Sequence, residues 1–149
     1  MKQLLLKNEI DGLTDTILGE VENLTNMKGM EDVFSYKDSD RRRIGRTQLS
    51  SLLQNCRNAS SAEELKLFIS YKEAKENGWD IRIQGRSIAQ RLIDSIIRVE
   101  GLSSDVINAV NSKLPEDEKI LEDDRRKIKL MLVEKFLGYL YWKGTTMAN

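Results

Sequence analysis

The chain has no histidine. That removes together the commonest general base, the usual activator of a serine or cysteine nucleophile, and the commonest metal ligand. It has one cysteine, Cys56, so no disulfide can form within it and no thiolate–imidazole metal site can be built from it. Cys56 falls on an apolar helical face, where a buried, inert thiol is expected, and this suits a reducing cytosol. A single proline, Pro115, leaves long stretches open to helix. No GxGxxG or GxxxxGK[ST] loop occurs, and Lys143-Gly144-Thr145-Thr146 lacks the phosphate loop that would precede it. Asp38-Ser39-Asp40 opens like a calcium loop but has no third acid, glycine or closing glutamate, so it reads as a turn. The start, MKQLLLKNEIDG, reads neither as a signal peptide nor as a spanning helix. These absences point to a non-enzymatic, cytoplasmic protein with no cofactor, no metal and no membrane partner.

What is present favours helix. The residues are 40% apolar and 32% charged, rich in Leu, Ile, Lys, Glu and Arg. The expectation is an all-α, compact bundle of five or six helices, a single domain over 1–149. Net charge is zero but unevenly spread. Residues 1–40 hold 4 basic and 9 acidic side chains, residues 41–100 hold 12 and 7, and residues 101–149 hold 8 and 8. A chain of zero net charge can therefore still present a basic and an acidic face.

Periodicity marks the elements. Residues 3–27 read as one helix, with Ile10, Leu13, Ile17, Val21 and Leu24 three and four apart and an acidic opposite face. Residues 28–46 break the period and read as an irregular basic segment anchored by Phe34 and Tyr36. Thr47 to Gly78 is the best-marked stretch and reads as two consecutive helices, the organising element of the chain. Leu49, Leu52, Leu53 and Cys56 share one face, with Thr47 as the expected N-cap. Asn58 to Ser61 interrupts, and Ser61 and Glu64 have the spacing of a capping box. Leu65, Phe68, Ile69 and Tyr71 or Lys72 make the next stripe, and Asn77-Gly78 is expected to end it in a left-handed turn.

Beyond it, Trp79 reads as a lid over the core. Residues 81–83 form at most a short ribbon, for which no partner strand is evident. Ser87 to Glu100 reads as a helix whose stripe of Ile88, Leu92, Ile96 and Val99 is widened by Ile93 and Ile97. Ser104 is the expected cap of a short helix. Residues 117–143 read as the longest helix, with acids crowding its start, Gly144 as its stop and 145–149 as a disordered tail. Tyr139, Tyr141 and Trp142 cluster at its end, at the spacing of core or interface packing, and imply self-association.

The basic residues carry the functional reading. Arg41, Arg42, Arg43 and Arg46 precede the helix that starts near Thr47; Lys72 and Lys75 end the next one; Arg82 and Arg86 follow. Helix ends meeting near Gly78 would gather several of these on one edge, able to hold a phosphate backbone without reading sequence. The alternatives are a helical protein-interaction or oligomerisation module, and a helix-turn-helix DNA regulator built on residues 47–77. Against the latter, the second helix offers Lys and Glu but no Asn, Gln or Arg for base edges.

Three pieces of this sequence resemble the small helical subunit of type III-A (Csm) CRISPR effector complexes. They are Thr47-Gln48-Leu49-Ser50-Ser51-Leu52-Leu53, then Tyr71-Lys72-Glu73-Ala74-Lys75, then Phe136-Leu137-Gly138-Tyr139-Leu140-Tyr141-Trp142-Lys143. Residues 79–127 match only as helix pattern. Two positions depart: the family commonly has arginine where Ser50 stands, and often arginine where Lys75 stands, which keeps charge but loses the planar fork. The Arg41–Arg46 cluster is the available compensating charge. The resemblance implies a non-catalytic subunit stacked in copies along guide and target RNA. It would contact the phosphate backbone and the other effector subunits.

Overall fold

A computed structural model describes residues 1–34, 44–76 and 78–147. The expected Tyr36 anchor, the Asp38–Asp40 turn and the Arg41–Arg43 cluster lie outside the described residues. So does Asn77. Within them the chain runs α1 (Lys2–Asp11), α2 (Thr14–Thr25), α3 (Met30–Val33), α4 (Arg46–Asn58), α5 (Ala62–Ala74), β1 (Arg82–Ile83), β2 (Arg86–Ser87), α6 (Ile88–Gly101), α7 (Ser103–Asn111) and α8 (Glu122–Met147). A 3-10 turn at Glu116–Glu118 precedes α8. The class is helical, as expected. Among the described residues the helices of nine residues or more number seven rather than five or six, with α3 a single added turn.

The extra helix comes from the first segment. Residues 3–27 are two helices, broken at Gly12 and Leu13, where Thr14 Oγ1 donates to the Asp11 carbonyl (2.7 Å). The break lets α1 pack on α7 while α2 packs on α8.

The element at the centre is α8, not the α4–α5 pair. It packs most extensively on α4, then on α2 and α6. Ile128, Leu132, Val133, Phe136, Leu137 and Leu140 are buried on it, a wider band than one stripe, which suits a helix with neighbours on several sides. Gly144 does not stop it. The glycine is buried against Leu49 of α4, where a Cβ would come to 2.5 Å from Leu49 Cδ1. Close approach, not chain reversal, is its role, and the helix runs on through Thr145 and Thr146 to Met147. Thr145 Oγ1 donates to the Tyr141 carbonyl (2.8 Å) and Thr146 Oγ1 to that of Lys143 (2.7 Å).

Helix ends follow local chemistry with some shifts. Ser87 caps α6 in a full capping box: its Oγ accepts from Gln90 N–H (3.0 Å) and Gln90 Oε1 accepts from Ser87 N–H (3.0 Å). Ser61 caps α5 by accepting from Glu64 N–H (3.2 Å), but Glu64 reaches one residue further back, to Ser60 N–H (2.8 Å). Gly45, not Thr47, sits at the N-cap of α4, and Leu102 precedes α7, so Ser104 lies inside that helix. At the end of α5 the left-handed conformation falls on Glu76 (φ 69°) as well as on Gly78 (φ 98°).

The ribbon near Ile81–Ile83 does have a partner. Gln84 (φ 53°) and Gly85 (φ 87°) make a tight two-residue turn, and Arg82 pairs with Ser87 and Ile83 with Arg86, antiparallel.

One apolar core takes residues from all eight α-helices. Most expected core positions lie in it: Ile17, Val21, Leu49, Leu52, Ile69, Ile88, Leu92, Ile96, Ile128, Leu132 and Phe136. Leu13, Leu53 and Phe68 are only partly buried, and Ile97 is exposed. Trp79 is not a lid but a core residue, 2% exposed. No helix among the described residues is long and apolar enough to cross a membrane.

Candidate nucleic-acid interface

One hydrogen bond organises the edge on which the basic residues were expected to meet. Trp79 Nε1–H donates to Gln48 Oε1 at 2.5 Å, tying the first turn of α4 to the segment that leaves α5. The same segment is sewn to the start of α6: Ala89 N–H donates to the Trp79 carbonyl (3.0 Å) and Ile88 N–H to that of Ile81 (2.8 Å). Buried Trp79 therefore gathers the start of α4, the exit of α5, the hairpin and the start of α6 around Gly78.

The basic side chains on these elements divide into two kinds. Arg82 and Arg86 are exposed but engaged locally. Arg82 Nη1–H donates to the Gly85 carbonyl across its own turn (2.8 Å), and Arg86 pairs with Asp94 of α6 (3.0 Å). Arg91 went unremarked in the sequence. Its guanidinium donates to the Ile83 carbonyl through Nε (2.9 Å) and Nη2, and to that of Gln84 (3.1 Å), clamping the hairpin. Arg46 is exposed as the first residue of α4.

Lys72 and Lys75 differ. Neither has a carboxylate partner among the described residues, and each lies over an aromatic ring of its own helix. Lys72 Nζ is 5.5 Å from the Phe68 ring centre and Lys75 Nζ is 5.4 Å from that of Tyr71. The two rings lie 6.5 Å apart. Residues 68, 71, 72 and 75 recur at helical spacing, so they share one strip of α5. The apolar stripe was expected at Leu65, Phe68, Ile69 and Tyr71 or Lys72, with Phe68 and Ile69 in the core. Leu65 and Ile69 are buried as part of it, whereas Phe68 is half-buried and Tyr71 52% exposed. Leu67 is 72% exposed. Between this strip and Asn55 of α4 and its C-cap Ala59 runs an open groove of about 460 Å³.

A second aromatic patch lies on α8. Trp142 is 66% exposed and its ring is 5.8 Å from that of Tyr139, with Lys135 Nζ 5.6 Å above the latter. Met131, Gly138 and Arg57 of α4 complete a shallow hollow around it. Arg57 pairs with Glu134 there (2.8 Å).

Cys56 is buried, and desolvation pushes its thiol up to about 12. Lys66 of α5 and Glu100 of α6 form a shielded ion pair at 2.7 Å, with Lys129 of α8 at 4.0 Å from the same carboxylate. Burial pulls the Lys66 ammonium down, and hydrogen bonds to Glu100 and Glu63 outweigh it, so its pKa stands above the ordinary value. Asp123 and Asp124 lie beside Arg125, which pairs with Glu122 (2.9 Å) and donates to Ser104 Oγ (2.9 Å). Among the described residues no group of three or more potential ligands is placed to hold a metal ion. The chain matches no family model, no curated protein and no solved structure.

Proposed function

We propose that this protein is a non-catalytic, RNA-binding small subunit of a type III-A CRISPR effector complex. It stacks in copies along guide and target RNA and holds the backbone without reading sequence. The observation that carries this reading is the placement of Tyr71-Lys72-Glu73-Ala74-Lys75, a piece on which the family resemblance rests. It falls at the C-terminal end of α5, with two ammonium groups that have no carboxylate partner among the described residues, beside an exposed aromatic ring. Two cations of this kind add phosphate affinity with no base discrimination. Arg46 stands two residues from Gln48, at the start of the helix that Trp79 ties to the exit of α5. Arg82 and Arg86 contribute less, because their guanidinium groups already serve the hairpin and α6. Contacts between copies are assigned to exposed Trp142 and its hollow on α8.

A helical interaction module with no nucleic-acid role is the second reading, and the exposure of Leu67 and Trp142 favours it. Expression with the neighbouring genes, followed by affinity purification and nuclease treatment, separates the two. The RNA-binding reading expects short protected RNAs that co-purify with the chain and larger subunits. A preparation free of nucleic acid, with no gel shift on single-stranded RNA at low salt, contradicts it.

A further inference from the structure

The groove between α4 and α5 is lined mostly by apolar and aromatic side chains, and Lys72 and Lys75 lie over two of its rings, those of Phe68 and Tyr71. Tyr71 presents half of its surface to solvent and Leu67 nearly three quarters, and among the described residues these surfaces are left uncovered. Phe68 packs in part against the core, and the ammonium groups of Lys72 and Lys75 lie over the Phe68 and Tyr71 rings, a weak contact at an exposed site. On the other wall Asn55 turns its amide NH₂ to the Ser51 carbonyl (2.9 Å), which leaves its own carbonyl oxygen as an acceptor. The groove's acid, Glu64, sits at the opposite end of α5 from the lysines, where its carboxylate holds Ser60 N–H. Glu73 follows Lys72 by one residue and so lies off the strip. The groove is thus polarised: an anion is repelled at the Glu64 end and attracted at the Lys75 end.

An apolar hollow walled by an exposed ring, with two ammonium groups lying against its rings, complements a ligand that is flat and uncharged in one part and anionic in the next. A single-stranded nucleic acid has that alternation. We propose that the groove seats an unpaired nucleobase stacked on Tyr71, with the adjoining phosphates held by Lys72 and Lys75. On binding, Lys75 leaves the ring face for a phosphate, and the base takes its place. The assignment rests on the RNA-binding reading above and adds to it: the strand is gripped through bases as well as backbone, and in single-stranded form. Stacking of this kind tolerates any base.

The test uses the intact chain at low salt. It compares a fluorescent oligouridylate with an abasic oligomer of the same length, which keeps the phosphates and lacks the bases. The abasic oligomer is expected to bind at least about fivefold more weakly. Tyr71→Ala should lower oligouridylate affinity to the abasic level, and Tyr71→Phe should hold it within about twofold of the native chain, because the ring is kept. Circular dichroism of both variants checks that the fold is intact, and the abasic comparison on the native chain requires no variant. Equal binding of the two oligomers, still dependent on Lys72 and Lys75, overturns the stacking site and leaves backbone binding standing. Binding of neither overturns the RNA-binding reading and the site with it. If Tyr71→Ala abolishes self-association in sedimentation and leaves oligouridylate affinity unchanged, the groove is a protein interface and the proposal fails.

Discussion

Gly144 of α8 and Leu49 of α4 fit against each other so closely that a Cβ at position 144 would lie 2.5 Å from Leu49 Cδ1. The absence of a side chain at one residue is the space occupied by the other. Gly144→Ala should therefore lower stability by about 1 kcal/mol, because overpacking of about 1–3 kcal/mol exceeds the gain in helix propensity of about 1 kcal/mol. Gly138, six residues earlier on the same helix, has nothing within 4 Å of its would-be Cβ. Gly138→Ala should raise stability by about 0.5–1 kcal/mol. Denaturant unfolding of the two variants checks the opposite signs.

The two tryptophans should report opposite environments. Trp79 is 2% exposed and hydrogen-bonded to Gln48, while Trp142 is 66% exposed. Trp142→Phe should leave a blue-shifted emission that acrylamide quenches poorly. Trp79→Phe should leave a red-shifted, readily quenched one. If both variants quench alike, Trp79 is not in the core.

Cys56 gives a pH dependence with a defined sign. Burial raises its thiol from 9.0 to about 12, so between those values the unfolded chain loses the proton and the folded chain keeps it. The contribution is fully present below pH 9 and is lost as pH rises toward 12. Cys56→Ala should flatten the fall in stability over that window. In the native protein at pH 8 the thiol should react with a disulfide reagent only as fast as the chain opens.

The Lys66–Glu100 pair is shielded on both sides, with side-chain exposures of 16% and 8%. Removing Lys66 leaves the buried Glu100 carboxylate with Lys129 alone at 4.0 Å, so Lys66→Met should cost about 1–3 kcal/mol, less than a fully stranded charge. The double variant Lys66→Met with Glu100→Leu should recover most of that loss. Strict additivity of the two single changes in a double-mutant cycle would show that the groups are not coupled.

Much of the fold was legible because helix periodicity and caps are local properties. Ser87 was read as the start of α6 and does cap it, in a box with Gln90. Leu52 falls where its stripe places it. Glycine was harder to read, because its role depends on what packs against it. Gly12 accompanies a break, whereas Gly144, expected to be a stop, accepts Leu49 and lets the helix continue. The centrality of α8 was hidden for a related reason: its buried residues spread around the helix, and only the three-dimensional packing shows α2, α4 and α6 around it. At the site, charge was legible and its engagement was not. Arg86 finds Asp94 eight residues on in α6, while among the described residues Lys72 and Lys75 find rings and no carboxylate. The stripe of α5 was legible at Leu65 and Ile69, but Phe68, expected in the core, is only half-buried at its edge.

The salt dependence of single-stranded RNA binding tests the role of α5 most directly. Each phosphate contact contributes a slope of about −0.7 in log affinity against log salt. Lys127 and Arg126 serve as the control pair, since both are exposed on α8; Lys129 is unsuitable because it faces the Glu100 carboxylate. For Lys72→Glu with Lys75→Glu the expected result is a slope flatter by about 1.4 and weaker binding to all sequences alike, with the control pair changing little. A slope unchanged by the reversal at 72 and 75, or changed equally by the reversal at 126 and 127, contradicts a phosphate-binding end of α5.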